Sequence, residues 1–233
     1  MHYHLCDHIY ISQYREDLIL LDTKSNTYTI CFPKFAELLL SAIEGKANSQ
    51  SLDSIQKLLE DRIIEKKETV FPFYIDRKVD SEGVSDVDWQ LPLDPTKINL
   101  NTSVLKAFLT LLQVHFYIKT RGFYATIRLI KKTRKTHLIY TFPSDEELKN
   151  LANILNKACL LYPIRTKCLE WAMTFVLLAL RRQWKCNLEI GVQNYPFLAH
   201  AWVECNGKVV MDSQELRKGL AIILNEPFRK LNL

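Results

Sequence analysis

Between Ile9 and Phe32 the hydrophobic residues gather in three short β-type runs, IYISQY, LILLD and TYTICF, separated by polar stretches. Runs of this length and β-branched content predict strands, whose successive side chains face opposite sides. Arg15-Glu16-Asp17 and the stretch from Asp22 to Asn26 supply turn signals, so the three runs form an antiparallel meander. At Pro33 the period becomes helical: Phe35, Leu38, Leu39 and Ile43 recur on one face, Pro33 suits a first turn and Gly45 a stop. A second helix is predicted from Leu52 to Ile64, with Leu52, Ile55, Leu58 and Leu59 aligned. A meander packed on helices is thus complete by about Phe73.

The pattern then lapses. DRKVDSEGVSDVDWQLPLDPTKIN, from Asp76 to Asn99, is acidic, contains prolines and a glycine, and follows neither period. It predicts a linker over 76–99 between a domain at 1–75 and another at 100–233. Helical spacing resumes over Val104 to Ile118 and Phe123 to Ile130. Ser144 with Glu147 then forms a capping box for a helix bearing Leu148, Leu151, Leu155 and Ala158. After Pro163 a further helix begins near Thr166 and runs to about Gln183, and strands fit Asn187 to Gln193, Ala199 to Glu204 and Lys208 to Met211. The fold class is α+β.

Composition narrows the setting. A 233-residue chain with 48% hydrophobic and 24% charged residues is ordinary for a globular protein of one large or two small domains. Its six cysteines form no C-x-x-C pair, and the start MHYHLCDHIY lacks the layout of a signal peptide, so a reducing cytoplasm is expected. The longest apolar run, Trp171 to Leu180, falls well short of the roughly 20 residues of a membrane span and is closed by Arg181 and Arg182. The net charge of +5 concentrates in RLIKKTRKTH, Arg128 to His137, read as a solvated helix face.

The candidate chemistry centres on Cys168, at the start of the late helix. A helix N-terminus presents unpaired N–H groups and partial positive charge, which favour a thiolate and suit the oxyanion of an acyl intermediate. Arg165 and Lys167 push the same way. His200 on one strand and Asp212 on the next would supply a base and its orienter. Cys31, Cys159 and Cys186 lie in apolar runs and read as inert packing, and Cys205 reads as an exposed turn residue.

Hairpin register decides whether His200 and Asp212 meet. A two-residue turn at Asn206-Gly207 sets His200 opposite Ser213 and turns Asp212 to the other face. A three-residue loop, Cys205-Asn206-Gly207, with Gly207 at positive φ as a bulge, sets His200 opposite Asp212. The three-residue loop is therefore expected.

His2, His4, Cys6 and His8 would share one strand face, but same-face neighbours lie nearly 7 Å apart at ~3.3 Å per residue, so a polar face rather than a metal site is expected. His115 and His137 have no evident partner and read as structural or surface residues.

A cysteine on a helix, a strand with HAWVE, a short turn and an aspartate resemble the transglutaminase-like cysteine proteases. More closely, CLEWAMTFVLLALRRQ followed by EIGVQ, AHAWVEC and NG is similar to the C-terminal half of the lasso-peptide B proteins, the leader peptidases of lasso-peptide maturation. The likeness spans roughly Lys106 to Asp212, with AHAWVE its most specific part. It implies Cys168 as nucleophile, His200 as base and Asp212 as orienter. Two departures are Gln183-Trp184-Lys185, in place of an Arg-Gly turn, and Glu170, where a small or uncharged residue is commoner.

The N-terminal meander and helices are similar to the PqqD-like leader-recognition module, a winged-helix relative, in which the leader adds as a strand to an open sheet edge. By that resemblance Thr27, Tyr28, Thr29, Ile30 and Cys31, with Ile55 and Leu59, frame the leader groove. The resemblance also implies a precursor-peptide substrate and an asparagine-synthetase-like cyclase partner that closes a macrolactam. Nothing in the chain looks like a phosphate loop, so no cofactor is expected here and any ATP would act elsewhere or through the partner. Two other readings are a transglutaminase or N-acyltransferase using the same triad, and a non-enzymatic winged-helix binding protein whose basic run contacts nucleic acid while a degenerate C-terminal half only scaffolds.

Overall fold

The computed structural model of the protein describes residues 2–46, 52–85, 89, 91 and 101–232. The expected meander forms as β2 (Ile9–Tyr14), β3 (Asp17–Asp22) and β4 (Thr27–Cys31), antiparallel in that order. Two further strands pair as a separate ribbon: β1 (His2–Leu5), inside the stretch where His2, His4, Cys6 and His8 alternate, and β5 (Ile64–Lys67), which had no strand signal. Helix α1 (Pro33–Ile43) stops at Gly45, whose φ is +71°. Helix α2 (Leu52–Glu60) ends earlier than expected, because Arg62 turns left-handed at φ 55° and Ile64 already belongs to β5.

Alternation along the meander buries both of its faces. Ile9, Ile11, Leu18, Leu20 and Cys31 join Leu39, Ile43, Ile55 and Leu58 in a core beneath the helices. Tyr10, Tyr14, Ile19 and Leu21, which point the other way, are buried in the core of the C-terminal half. The Tyr10 hydroxyl donates to Glu226 Oε1 at 3.0 Å in that seam, and Asn194 Nδ2 donates to Asp17 Oδ2 at 2.8 Å.

The start of the expected linker is structured. Arg77 and Lys78 form β6, parallel to β2 at the sheet edge, and the Asp76 carboxylate accepts the Ile222 N–H at 2.7 Å. Further on, Val84 exchanges hydrogen bonds with the Gln193 side chain at 2.7 and 3.0 Å. These residues have no period because an edge strap makes its bonds singly rather than as an amphipathic face. The remainder of that linker, at 86–88, 90 and 92–99, lies outside the described residues.

The C-terminal half begins with α3 (Thr102–Thr133), capped by the Asn101 side chain accepting the Val104 N–H and broken at Gly122 by φ 80° and ψ 174°. That break separates the two helical stretches read from the sequence. Helix α4 (Asp145–Leu161) carries the expected Ser144–Glu147 capping box, and α5 (Cys168–Arg181) runs through the centre, with every residue from Trp171 to Leu180 buried. Against α5 lies an antiparallel sheet in the order β10 (Ala221–Glu226), β7 (Cys186–Gln193), β8 (Leu198–Cys205) and β9 (Lys208–Val209). Strand β10 and the short α6 (Glu215–Gly219) had no counterpart in the sequence reading. Among the described residues, no helix is long and apolar enough to cross a membrane.

Candidate functional site

Cys168 is the first residue of α5, whose start is fixed from both sides. The Glu170 carboxylate accepts the Lys167 N–H through Oε2 at 3.1 Å and faces His115 Nδ1 through Oε1 at 3.0 Å. His115, read from the sequence as partnerless, is therefore buried and paired, and the charged Glu170 has a local task of holding the first turn. Trp171 adds a bond from its indole N–H to Asn156 Oδ1 at 2.8 Å. Where an Arg-Gly turn was expected after the helix, Gln183 takes the left-handed conformation itself at φ 59°.

His200 comes from β8, directly opposite Gly191 on β7. A side chain at 191 would press on Trp202, whose ring an added Cβ would meet at 2.5 Å. Trp202 in turn stacks against His200, with centroids 6.2 Å apart and planes at 21°. The glycine thus lets the indole lie flat under the sheet beside the imidazole.

Asp212 reaches the same imidazole by a route different from the expected one. The β8–β9 connection is a two-residue turn, with Cys205 paired to Lys208 and both Asn206 (φ 49°) and Gly207 (φ 78°) left-handed, as a type I′ turn requires. Gly207 has the expected positive φ, but the expected three-residue loop is absent. The strand instead stops at Val209, short of the expected Met211, and Met211 adopts φ 56°. That left-handed residue breaks the alternation after Val210, which still donates its N–H to Val203 at 2.9 Å, and swings the Asp212 side chain onto the His200 face. Asp212 Oδ2 lies 2.8 Å from His200 Nε2, and Oδ1 accepts the Ser213 N–H at 2.8 Å. Turn chemistry favours type I′ because its twist matches the strands, so the correction falls on the far side of the turn.

The electrostatics suit a thiolate–imidazolium pair. Burial pushes the Cys168 thiol up, but hydrogen bonds from His200 and from the backbone N–H groups of Ala201 and Leu169, with the charge of His200, outweigh it and hold the thiol below its ordinary value. The groups acting most strongly are therefore the imidazole and backbone amides, rather than Arg165 and Lys167. Burial likewise pushes His200 down, yet bonds to Asp212 and Cys168 and their charges raise it to about 9. Nε2 being committed to Asp212, the other ring nitrogen is left for Cys168. Near neutral pH the group favours a nucleophilic sulphur, a protonated imidazole able to deliver its proton, and adjacent N–H donors suited to an oxyanion.

The remaining cysteines divide as burial dictates. Cys31, Cys159, Cys186 and Cys205 are buried, so Cys205 is packed inside β8 rather than exposed in a turn; Cys6 alone shares the partial exposure of Cys168. Burial pushes Cys31 and Cys159 up to about 11.

The expected leader residues scatter. Thr27, Thr29 and Ile30 are exposed on β4, the terminal strand of its sheet. Cys31 and Ile55 are buried in the core under the helices and Leu59 packs against it, because these positions carry the helix-facing side of the module. Tyr28 points the opposite way, packed against the core that holds Cys168, with its ring 5.4 Å from that of Phe197. Phe197 was missed from the sequence; its only signal was its place three residues before His200. The amino-terminal histidines disperse. His4 Nε2 meets the Thr69 carbonyl at 2.7 Å, while His8 lies beyond the end of β1, edge-on to Tyr124.

Residues 110–225 match the model of the transglutaminase-like superfamily, a span that contains Cys168, His200 and Asp212. The microcin J25-processing protein McjB of Escherichia coli is 26% identical over 228 residues, covering 91% of this chain and 96% of that protein. No solved structure matches the chain. These matches bear out the resemblance to the lasso-peptide B proteins, and place the likeness to the transglutaminase-like superfamily in residues 110–225.

Proposed function

We propose that this protein is the leader peptidase of a lasso-peptide pathway, cleaving leader from core of a ribosomally made precursor. The observation that carries the reading is the approach of three residues from separate elements: Cys168 at a helix start, His200 against it, and Asp212 2.8 Å from His200. The Cys168 thiolate attacks the scissile carbonyl, and the developing oxyanion is held by backbone N–H groups at the start of α5. The imidazolium of His200 gives its proton to the departing amine of the core, leaving the leader as a thioester on Cys168. Neutral His200 then takes a proton from water, which attacks the thioester and releases the leader acid. Asp212 keeps the ring oriented and stabilises its charged form.

The N-terminal meander is read as a PqqD-like recognition module, with the exposed edge of β4 as the place where the leader adds as a strand. What supports this is that β4 is the terminal strand of its sheet among the described residues, with Thr27, Thr29 and Ile30 exposed along it. The freed core amine would pass to an asparagine-synthetase-like cyclase, and any ATP would be used there.

The test is incubation with the precursor peptide, followed by intact mass. Two products whose masses sum to the precursor plus water support the reading, and Cys168→Ala should yield neither. A product joining two peptides identifies a transferase. Intact precursor, together with salt-sensitive binding to duplex DNA, favours a binding protein.

A further inference from the structure

The outer strand β4 comes close to Cys168 at Tyr28, whose ring packs in turn on Phe197. Tyr28 is the residue of β4 paired with Leu21, and both side chains face the C-terminal half. Its ring packs on Phe197 at 5.4 Å, tilted by 58°. Phe197 is 46% exposed and immediately precedes β8, the strand that carries His200. Cys168 and Leu169 border the same core as Tyr28. The turn that bears Phe197 is anchored from the N-terminal side, by Asn194 on Asp17 and by Gln193 on Val84.

We infer that Tyr28 and Phe197 form the wall of the substrate cleft against which the last leader side chains before the scissile bond are seated, so that the N-terminal sheet is itself part of the peptidase's selectivity. This rests on the leader-peptidase reading and assigns the residues that set its preference. The direction follows from connectivity. A leader strand on β4 approaches Cys168 from its own N-terminal side, and the rings stand where strand and cleft join.

The chemistry of the wall defines what it accepts. Both surfaces are aromatic, and Ile30, on the same face of β4 and 42% exposed, extends them with aliphatic surface. The Tyr28 phenol stays neutral at any working pH: burial and then the negative charge of Cys168 raise it to about 12. An uncharged, largely apolar side chain would be desolvated here at little cost. A carboxylate would bring a second negative charge towards the thiolate and be excluded. Tyr28 and Phe197 are thus specificity-determining residues that leave the reacting atoms to the triad.

The experiment uses full-length protein and a panel of precursor peptides whose last leader residue is Leu, Ala or Asp. For the wild type kcat/KM should follow Leu, Ala, Asp in falling order. Phe197→Ala and Tyr28→Ala should lower kcat/KM for the Leu peptide by about tenfold, the scale of a lost apolar contact, and bring the Leu and Ala values together. Iodoacetamide modification of Cys168 should keep its wild-type rate in both variants, which separates a cleft wall from a general structural role. Phe197 is half exposed, so its variant keeps the test decisive even where Tyr28→Ala fails to fold. Wild-type protein that cleaves the panel with a Leu-to-Ala ratio unchanged by Phe197→Ala overturns this inference alone. Wild-type protein that cleaves no member overturns the peptidase reading and this inference with it.

Discussion

Replacing Asp212 by Asn removes a charge while keeping a side chain of nearly the same shape, which isolates what the carboxylate does for His200. The imidazole stands at about 9 against an ordinary 6.5, and a difference of about 2.5 pH units at 1.36 kcal/mol each is about 3 kcal/mol in favour of the charged ring. A Coulomb value agrees: opposite charges ~4 Å apart at an effective dielectric constant of ~20 attract by about 4 kcal/mol. Burial opposes this gain and the Cys168 thiolate shares in it, so the loss of Asp212 is scaled as a hydrogen bond to a charged group, about 1.5–2 kcal/mol, or 10- to 30-fold. Losing it lets the ring deprotonate at lower pH and raises the thiol, because the thiolate loses its cationic partner. The assay is the rate of iodoacetamide inactivation between pH 5 and 10, with the modified cysteine identified by peptide mass. The variant should react about 10- to 30-fold more slowly near pH 7, with its midpoint moved upward. Unchanged rate and midpoint in Asp212→Asn would show that the carboxylate does not hold the ion pair, leaving a Cys–His dyad.

The wild-type pH profile of cleavage should be a bell. Activity is lost on the acid side as the thiolate is protonated below its lowered value, and on the alkaline side as the imidazolium deprotonates through about 9; a plateau extending well above 9 contradicts this assignment. Met211→Val, a β-branched residue forced left-handed, should cost about 1–2 kcal/mol in urea unfolding and sharply lower cleavage, whereas Met211→Gly should retain it. Gly191→Ala should destabilise by about 1–3 kcal/mol through the clash with Trp202, read as a lower Tm. A fragment ending at Asp76 exposes Tyr10, Tyr14, Ile19 and Leu21 and should bind a hydrophobic dye or aggregate, while the full chain unfolds in one transition; a well-behaved fragment with native exchange protection would show the halves to be independent. Limiting iodoacetamide should label Cys168 first and Cys6 second, with Cys205 protected.

Much of this protein is determined by local pattern. The meander, the Ser144–Glu147 capping box, the division of α3 and the placing of Cys168 at a helix start all rest on interactions within a few residues, which the sequence displays directly. AHAWVE likewise marks the strand that carries His200. Contacts between distant segments decided the rest. The continuous apolar runs of the meander show that both faces seek burial, but not which distant segments cover each face. Strands β5, β6 and β10 are defined by their partners, and short segments without alternation become strands only when an edge is offered to them. The hairpin is the clearest case. Asn206-Gly207 specifies its own type I′ turn, but Asp212 meets His200 because Met211 adopts a left-handed conformation that no local preference of methionine favours. The surrounding packing pays that cost, and with it the sheet gains a carboxylate on a face where alternation alone would have put Ser213.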